Sequence, residues 1–96
     1  MAWQVIYHED VPEDLRAIPR NLRARMRRAI EERLMTEPAK YGERLRKDLA
    51  GAWKLRVGDY RIVFDLLTHS GTVRVLLIAH RRSVYGTLPR RIRRRG

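Results

Sequence analysis

Trp53-Lys54-Leu55-Arg56-Val57-Gly58-Asp59-Tyr60-Arg61-Ile62-Val63-Phe64 reads as a β-hairpin. Trp53, Leu55 and Val57 alternate with Lys54 and Arg56, a period of two. Gly58-Asp59 is a two-residue turn, and glycine at its first position suits a type II′ hairpin. That turn sets a register in which Val57 faces Tyr60, Arg56 faces Arg61, Leu55 faces Ile62 and Lys54 faces Val63. One face then presents Trp53, Leu55, Val57, Tyr60, Ile62 and Phe64 to a core. The other carries Lys54, Arg56 and Arg61. Arg56 and Arg61 form a directly opposed, non-hydrogen-bonded pair, with Cα atoms roughly 4.5 Å apart. Like charges opposed in this way destabilise a sheet. Three cations on one small sheet face therefore imply an anion to be held there, and a phosphodiester is the obvious candidate.

The remaining chain supplies the layers around this hairpin. Ala2 to Tyr7 is apolar and β-rich, a first strand. Asp10 followed three residues later by Glu13 matches a capping box, with Pro12 in the first turn of a short helix that carries Leu15 and Ile18 inward. Pro19 separates it from a second helix, about Arg20 to Met35, in which Leu22, Met26, Ala29 or Ile30, and Leu34 recur at helical spacing. Lys40 to Ala50 reads as a connector anchored by Leu45 and Leu49. Thr72 to Ala79 is almost continuously apolar, as expected of a central strand. Thr87 to Gly96 reads as a basic, mobile tail with little to bury. The order β-α-α-β-β-β predicts one α+β domain over 1–96, a small, mainly antiparallel sheet with a helical hairpin on one face. Trp3 and Trp53 are expected in the core, and His8 and His69 in surface turns.

Composition narrows the partners. The formal net charge is +11, from 22 Lys and Arg against 11 Asp and Glu, and no acidic residue follows Asp65. Such a balance favours a polyanion. No apolar run approaches the roughly 20 residues that span a bilayer, so no membrane role is expected. Cysteine is absent, which removes disulfides and thiolate metal sites and is compatible with a reducing cytoplasm. No His/Asp/Glu set stands at ligand spacing, so neither a metal nor another cofactor is expected.

With the hairpin "LRVGDYRIVF" and the segment Ala79-His80-Arg81-Arg82-Ser83-Val84-Tyr85 in place, the chain resembles the RelE/ParE toxin superfamily of bacterial toxin–antitoxin systems over roughly Val5 to Tyr85. The resemblance implies a cytoplasmic toxin that forms a hetero-oligomer with a cognate antitoxin. RelE-type members cleave messenger RNA on the ribosome without a metal. ParE-type members inhibit DNA gyrase and generally lack the basic catalytic set. A basic RNA- or DNA-binding module without chemistry is a third reading. By resemblance, Lys54 helps to activate the ribose 2′-hydroxyl, Arg61 stabilises the scissile phosphate, Arg81 protonates the leaving 5′-oxygen, and Tyr85 stacks on the displaced nucleotide. Arg56 and Arg82 are further basic positions for RNA, as are Arg23 and Arg27 on the second helix. This assignment agrees with the chemistry: transesterification by the 2′-hydroxyl needs a base, charge on the pentavalent phosphate and a proton for the leaving group, and arginine's planar fork suits phosphate oxygens.

Three features depart from the family pattern, one being that only three residues separate Arg81 from Tyr85, fewer than in some members. Ala52 stands where some active members carry a basic residue. His80 is an added group that resembles a histidine seen in part of the superfamily, a further position for RNA or phosphate whose imidazole also suits acid–base work. Whether His80 or Arg81 faces Arg61 is left open by the length of the Ser70-Gly71 turn; the resemblance favours Arg81.

Overall fold

The computed structural model describes residues 2–45 and 51–94. Its elements run β1 (Gln4–Tyr7), α1 (Val11–Arg16), α2 (Arg20–Ala29) continued by a π turn (Ile30–Leu34), a short α3 (Pro38–Tyr41), β2 (Glu43–Arg44), β3 (Trp53–Val57), β4 (Tyr60–Leu67), β5 (Thr72–His80) and α4 (Val84–Arg93). The five strands form one mixed sheet, ordered β1-β5-β4-β3-β2. Among the described residues only the β1–β5 pairing is parallel. The fold is thus α+β, and the apolar β5 is a central strand.

The β3–β4 register is the one that the two-residue turn dictates. Trp53 pairs with Phe64, Lys54 with Val63, Leu55 with Ile62, Arg56 with Arg61 and Val57 with Tyr60. Gly58 holds φ at 60°, a conformation that costs any other residue a Cβ clash. Leu55, Val57, Ile62 and Phe64 are buried in the core under α1 and α2 together with Met26, Ile30, Leu34, Val73 and Val75. Trp3, Trp53 and Tyr60 pack against this core and are partly buried. Gly42 passes over the Phe64 ring so closely that a Cβ there would lie 2.7 Å from the ring.

The far end of the chain is where the sequence reading fails. Residues 84–93 form a helix, not a mobile tail, and Leu88 within it is completely buried. α4 lies on the sheet face opposite α1 and α2. Val84 and Leu88, one helical turn apart, join Leu45, Ala52, Val63, Leu76 and Leu77 in a second core, with Ile92 alongside. A break in register between Val63 and Phe64 helps to make that core. It turns both Leu76 and Leu77 toward α4, against strict alternation. Arg91 in the helix and Arg94 at its C-terminal end are also paired internally. Arg91 donates from Nη1 to Asp14 Oδ2 (2.8 Å) and from Nη2 to Asp14 Oδ1 (2.9 Å), a fork-to-fork pair with both side chains 10% exposed. These hydrogen bonds hold the Arg91 guanidinium above its ordinary pKa, against the opposing effect of burial. Arg94 binds Asp10 (2.7 Å) and Glu9 (3.1 Å).

That network overturns two smaller expectations. Asp10 makes no side-chain cap on α1, because its carboxylate is committed to Arg94 and Arg91. His8 is buried, not a surface residue: its Nδ1 accepts the Asp10 N–H (3.0 Å) and its Nε2 lies 3.0 Å from the Arg94 carbonyl. His69 does sit in an exposed turn. Leu49, the second expected anchor of the connector, lies outside the described residues; Leu45, the first, is buried.

Docking of α4 should therefore contribute strongly to stability. Leu88→Ala is expected to cost about 2–5 kcal/mol, the range for a buried leucine that leaves a cavity. Arg91→Met, which strands the Asp14 carboxylate, is expected to cost about 3–5 kcal/mol. Urea unfolding followed by circular dichroism measures both. Losses below about 0.5 kcal/mol for either would mean that α4 is not docked as described.

Candidate active site on the cationic sheet face

Two strands, β3 and β4, place the cations. Across the sheet, Glu43, Lys54, Val63 and Leu77 form one row, and Arg56, Arg61 and Ala79 form the next. Since cross-strand partners share a face, Lys54, Arg56 and Arg61 all lie on the α4 side. The helix covers Val63, Leu77 and Ala79 and leaves the three cations beside it. Lys54 and Arg61 are partly buried and Arg56 is exposed.

The opposed Arg56–Arg61 pair is tolerated because each guanidinium is drawn away from the other. Arg56 Nε lies 3.1 Å from Glu43 Oε1. Arg61 folds back over the hairpin turn, donating from Nη1 to the carbonyls of Gly58 (3.0 Å) and Tyr60 (2.8 Å). No hydrogen bond among the described residues uses Arg61 Nε or Nη2, so two donors remain for an anion. Arg81 arrives at the same turn from β5. Its N–H donates to the Asp59 carbonyl (2.8 Å), and its Nε lies 3.9 Å from Asp59 Oδ1 with both side chains solvent-exposed.

Tyr85 is exposed in the first turn of α4. At 100° per residue it lies on the flank of the helix away from Thr87 and Arg91. Those two face α1 through Asp14, so Tyr85 belongs to the flank nearer β3 and β4.

Not every candidate joins this patch. The residue opposite Arg61 on β5 is Ala79, neither His80 nor Arg81. His80 pairs with Tyr60 on the other face, their rings edge-on at 5.4 Å, and its Nδ1 accepts the Arg82 N–H (3.2 Å). Arg82 is exposed in the turn that follows β5. Arg23 and Arg27 lie on α2, behind the sheet from Lys54. Arg23 donates to the carbonyls of Ile18 (3.1 Å) and Arg16 (3.4 Å), closing the end of α1. Arg27 rims an apolar groove floored by Met26, Ile30 and Ile78. Sequence reasoning missed Glu43, the carboxylate set among the cations. It stands on a two-residue strand, too short to show any alternation.

A basic sheet face flanked by a C-terminal helix defines a small α+β protein. A family model described as the ParE toxin of the type II toxin–antitoxin system parDE matches residues 5–85, and the chain belongs to that family, within the RelE/ParE superfamily. It is 29% identical over 85 residues to toxin RelG of Mycobacterium tuberculosis, covering 88% of this chain and 98% of the relative. To toxin RelE of the same organism it is 32% identical over 80 residues, covering 83% of this chain and 82% of the relative. Among solved structures, a chain of the M. tuberculosis RelBE2 toxin–antitoxin complex superposes with a TM-score of 0.78 at 28% identity, covering 83% of this chain and 99% of that one. The free E. coli toxin RelE, a mutant form, gives a TM-score of 0.73 at 19% identity, covering 96% of this chain and 99% of that one, and shows the fold alone.

Ala52 is completely buried in the second core. A basic side chain cannot be accommodated there without desolvating its charge. Ala52→Lys is therefore expected to destabilise the fold by several kcal/mol. Thermal unfolding tests this: an unchanged Tm would show that position 52 reaches solvent.

Proposed function

We propose that this toxin is a RelE-type, ribosome-dependent and metal-independent endoribonuclease that cuts messenger RNA in the cytoplasm and is silenced in a hetero-oligomer with a cognate antitoxin. The observation that carries the reading is the opposed Arg56–Arg61 pair beside Lys54, left uncovered by α4, with the Glu43 carboxylate drawn to Arg56. A structural role would favour apolar or oppositely charged partners at those positions. The names of the relatives, RelE and RelG, agree with it.

In this mechanism Lys54 takes the proton of the ribose 2′-hydroxyl. The oxygen attacks the adjacent phosphorus, and charge builds on the equatorial oxygens. Arg61 meets that charge with its two free donors, and Arg56 adds to the local field. Arg81, tethered to the hairpin through Asp59, donates the proton that the leaving 5′-oxygen takes up. Tyr85 stacks on the displaced base. The products are a 2′,3′-cyclic phosphate and a 5′-hydroxyl. Arg82, Arg23 and Arg27 contribute to long-range attraction to RNA. His80, on the opposite face, takes no part in the chemistry.

Arg61→Ala and Arg81→Ala are each expected to lower the single-turnover cleavage rate by about 100- to 1,000-fold, and Lys54→Ala by about 100- to 10,000-fold. Primer extension on a translated message reads these rates. A message with a 2′-deoxy nucleotide at the cut position should resist cleavage. Normal cutting of that message, or of the native message by the Arg61 variant, would overturn the roles.

The second reading is gyrase inhibition, favoured by the ParE description of the matching family model. It predicts loss of gyrase supercoiling at concentrations that leave translated messages intact, so the two assays run together separate the readings.

A further inference from the structure

The outer edge of β5 is only partly covered. β1 pairs with Thr72–Val75 and then ends. Beyond that point, among the described residues, β5 has a strand only on its β4 side. Antiparallel pairing alternates the residues that turn their N–H and C=O toward the partner. The bond from Arg81 N–H to the Asp59 carbonyl, and the tight pairing of Val57 with Tyr60 across the turn, make Ala79 and Arg81 the residues that bond toward β4. Ile78 and His80 point their backbone groups outward.

Most of these outward groups are taken. Ile78 N–H donates to Asp14 Oδ2 (3.0 Å), the Leu76 carbonyl accepts from Arg91 Nη1 (2.8 Å), and the His80 carbonyl accepts from Ser83 N–H (2.8 Å). The Ile78 carbonyl and the His80 N–H remain. No hydrogen bond among the described residues reaches either. They open onto a cavity of 320 Å³. Asp14, Ala17, Ile18 and the Tyr60 ring wall it on the α1 side, and Ser83 and Thr87 on the α4 side. Because α1 and α4 cover opposite faces of the sheet, the cavity is a slot that continues the sheet plane outward. An acceptor and a donor two residues apart stand at its inner end.

We propose that this slot binds a nucleobase edge-on. A Watson–Crick edge sets a donor next to an acceptor. For adenine, the exocyclic amine would donate to the Ile78 carbonyl and N1 would accept from the His80 N–H, with the ring held between the α1 and α4 walls. Strand addition by a peptide fits less well. The edge is closed at one end by Asp14 and Arg91 and at the other by the Ser83 turn, leaving a single pair of groups where a ladder needs several. Thr87 and the slot lie on one flank of α4, and Tyr85 on the other. The base held here is therefore not the one beside the scissile phosphate. The proposal is independent of cleavage and stands whichever activity the cationic face has. Its ligand is either a free nucleotide or a base extruded from RNA.

The test is an amide-resolved NMR titration of the full chain. Adenosine 5′-monophosphate should shift the His80 amide and the amides of Ser83 and Thr87. N6,N6-dimethyladenosine 5′-monophosphate, which lacks the donor, should bind at least about tenfold more weakly, the worth of one hydrogen bond left unmade. Thr87→Phe and Ala17→Trp, which fill the slot from either wall, should each abolish the shifts while keeping a dispersed, folded spectrum; two variants guard against one failing to fold. An oligouridylate carrying one adenosine distinguishes the sources: tighter binding than the mononucleotide, lost when that position is abasic, identifies RNA, and equal binding identifies the free nucleotide. A His80 amide unmoved by both ligands, equal affinity for the dimethylated nucleotide, or a response only to an extended peptide would each overturn the proposal.

Discussion

The two-residue turn at Gly58-Asp59 constrains nearly everything else in the molecule. A hairpin closed this tightly has one register, and a slip of one residue would exchange every inward side chain for an outward one. Leu55, Val57, Ile62 and Phe64 reach the main core only in this register, and Lys54, Arg56 and Arg61 avoid it only in this register. The same turn then anchors the site. Its carbonyls hold the Arg61 guanidinium, and the Asp59 carbonyl receives the Arg81 N–H. Core and cationic patch are thus two faces of one local constraint.

The second organising element is the docking of α4. A positive helix lies on a positive protein, which net charge alone would oppose. Local pairing reverses that balance. Arg91 and Arg94 meet Asp10, Asp14 and Glu9, all clustered at the start of the chain, while Val84 and Leu88 cover Leu76, Leu77 and Val63. Asp14 does two jobs at once, neutralising Arg91 and capping the free edge of β5 through the Ile78 N–H. The helix also sets the limits of the site, since it covers Ala79 and leaves Arg61 open.

The candidate site was legible to the extent that it lies on one hairpin. Alternation and a turn of known length place Lys54, Arg56 and Arg61 together without any tertiary information. Residues on β5 and beyond were not legible in this way. The register of β5 against β4 includes an irregularity at Val63 and Phe64, and no pattern in the apolar run from Val73 to Ile78 announces it. The run leaves His80 and Arg81 both open as the partner of Arg61, the resemblance favouring Arg81, and Ala79 takes that place. Arg23 and Arg27 have the composition of an RNA-binding face, but the sheet separates them from the patch.

The sequence by itself determined the central hairpin, its register, the apolar central strand and the amphipathic helix that covers them, because each is a local periodicity bounded by glycine or proline. It also determined the excess of positive charge. Only the tertiary structure decided that residues 84–93 are a helix. Isolated, that segment is short, rich in arginine and interrupted by Pro89, and short helices are marginal in water. It forms because Leu76, Leu77 and Ala52 offer an apolar surface and Asp14 a counter-charge, both assembled from positions far away in the chain. The same distant pairing buries His8 and closes most of the β5 edge, leaving the Ile78 carbonyl and the His80 N–H open between two helices.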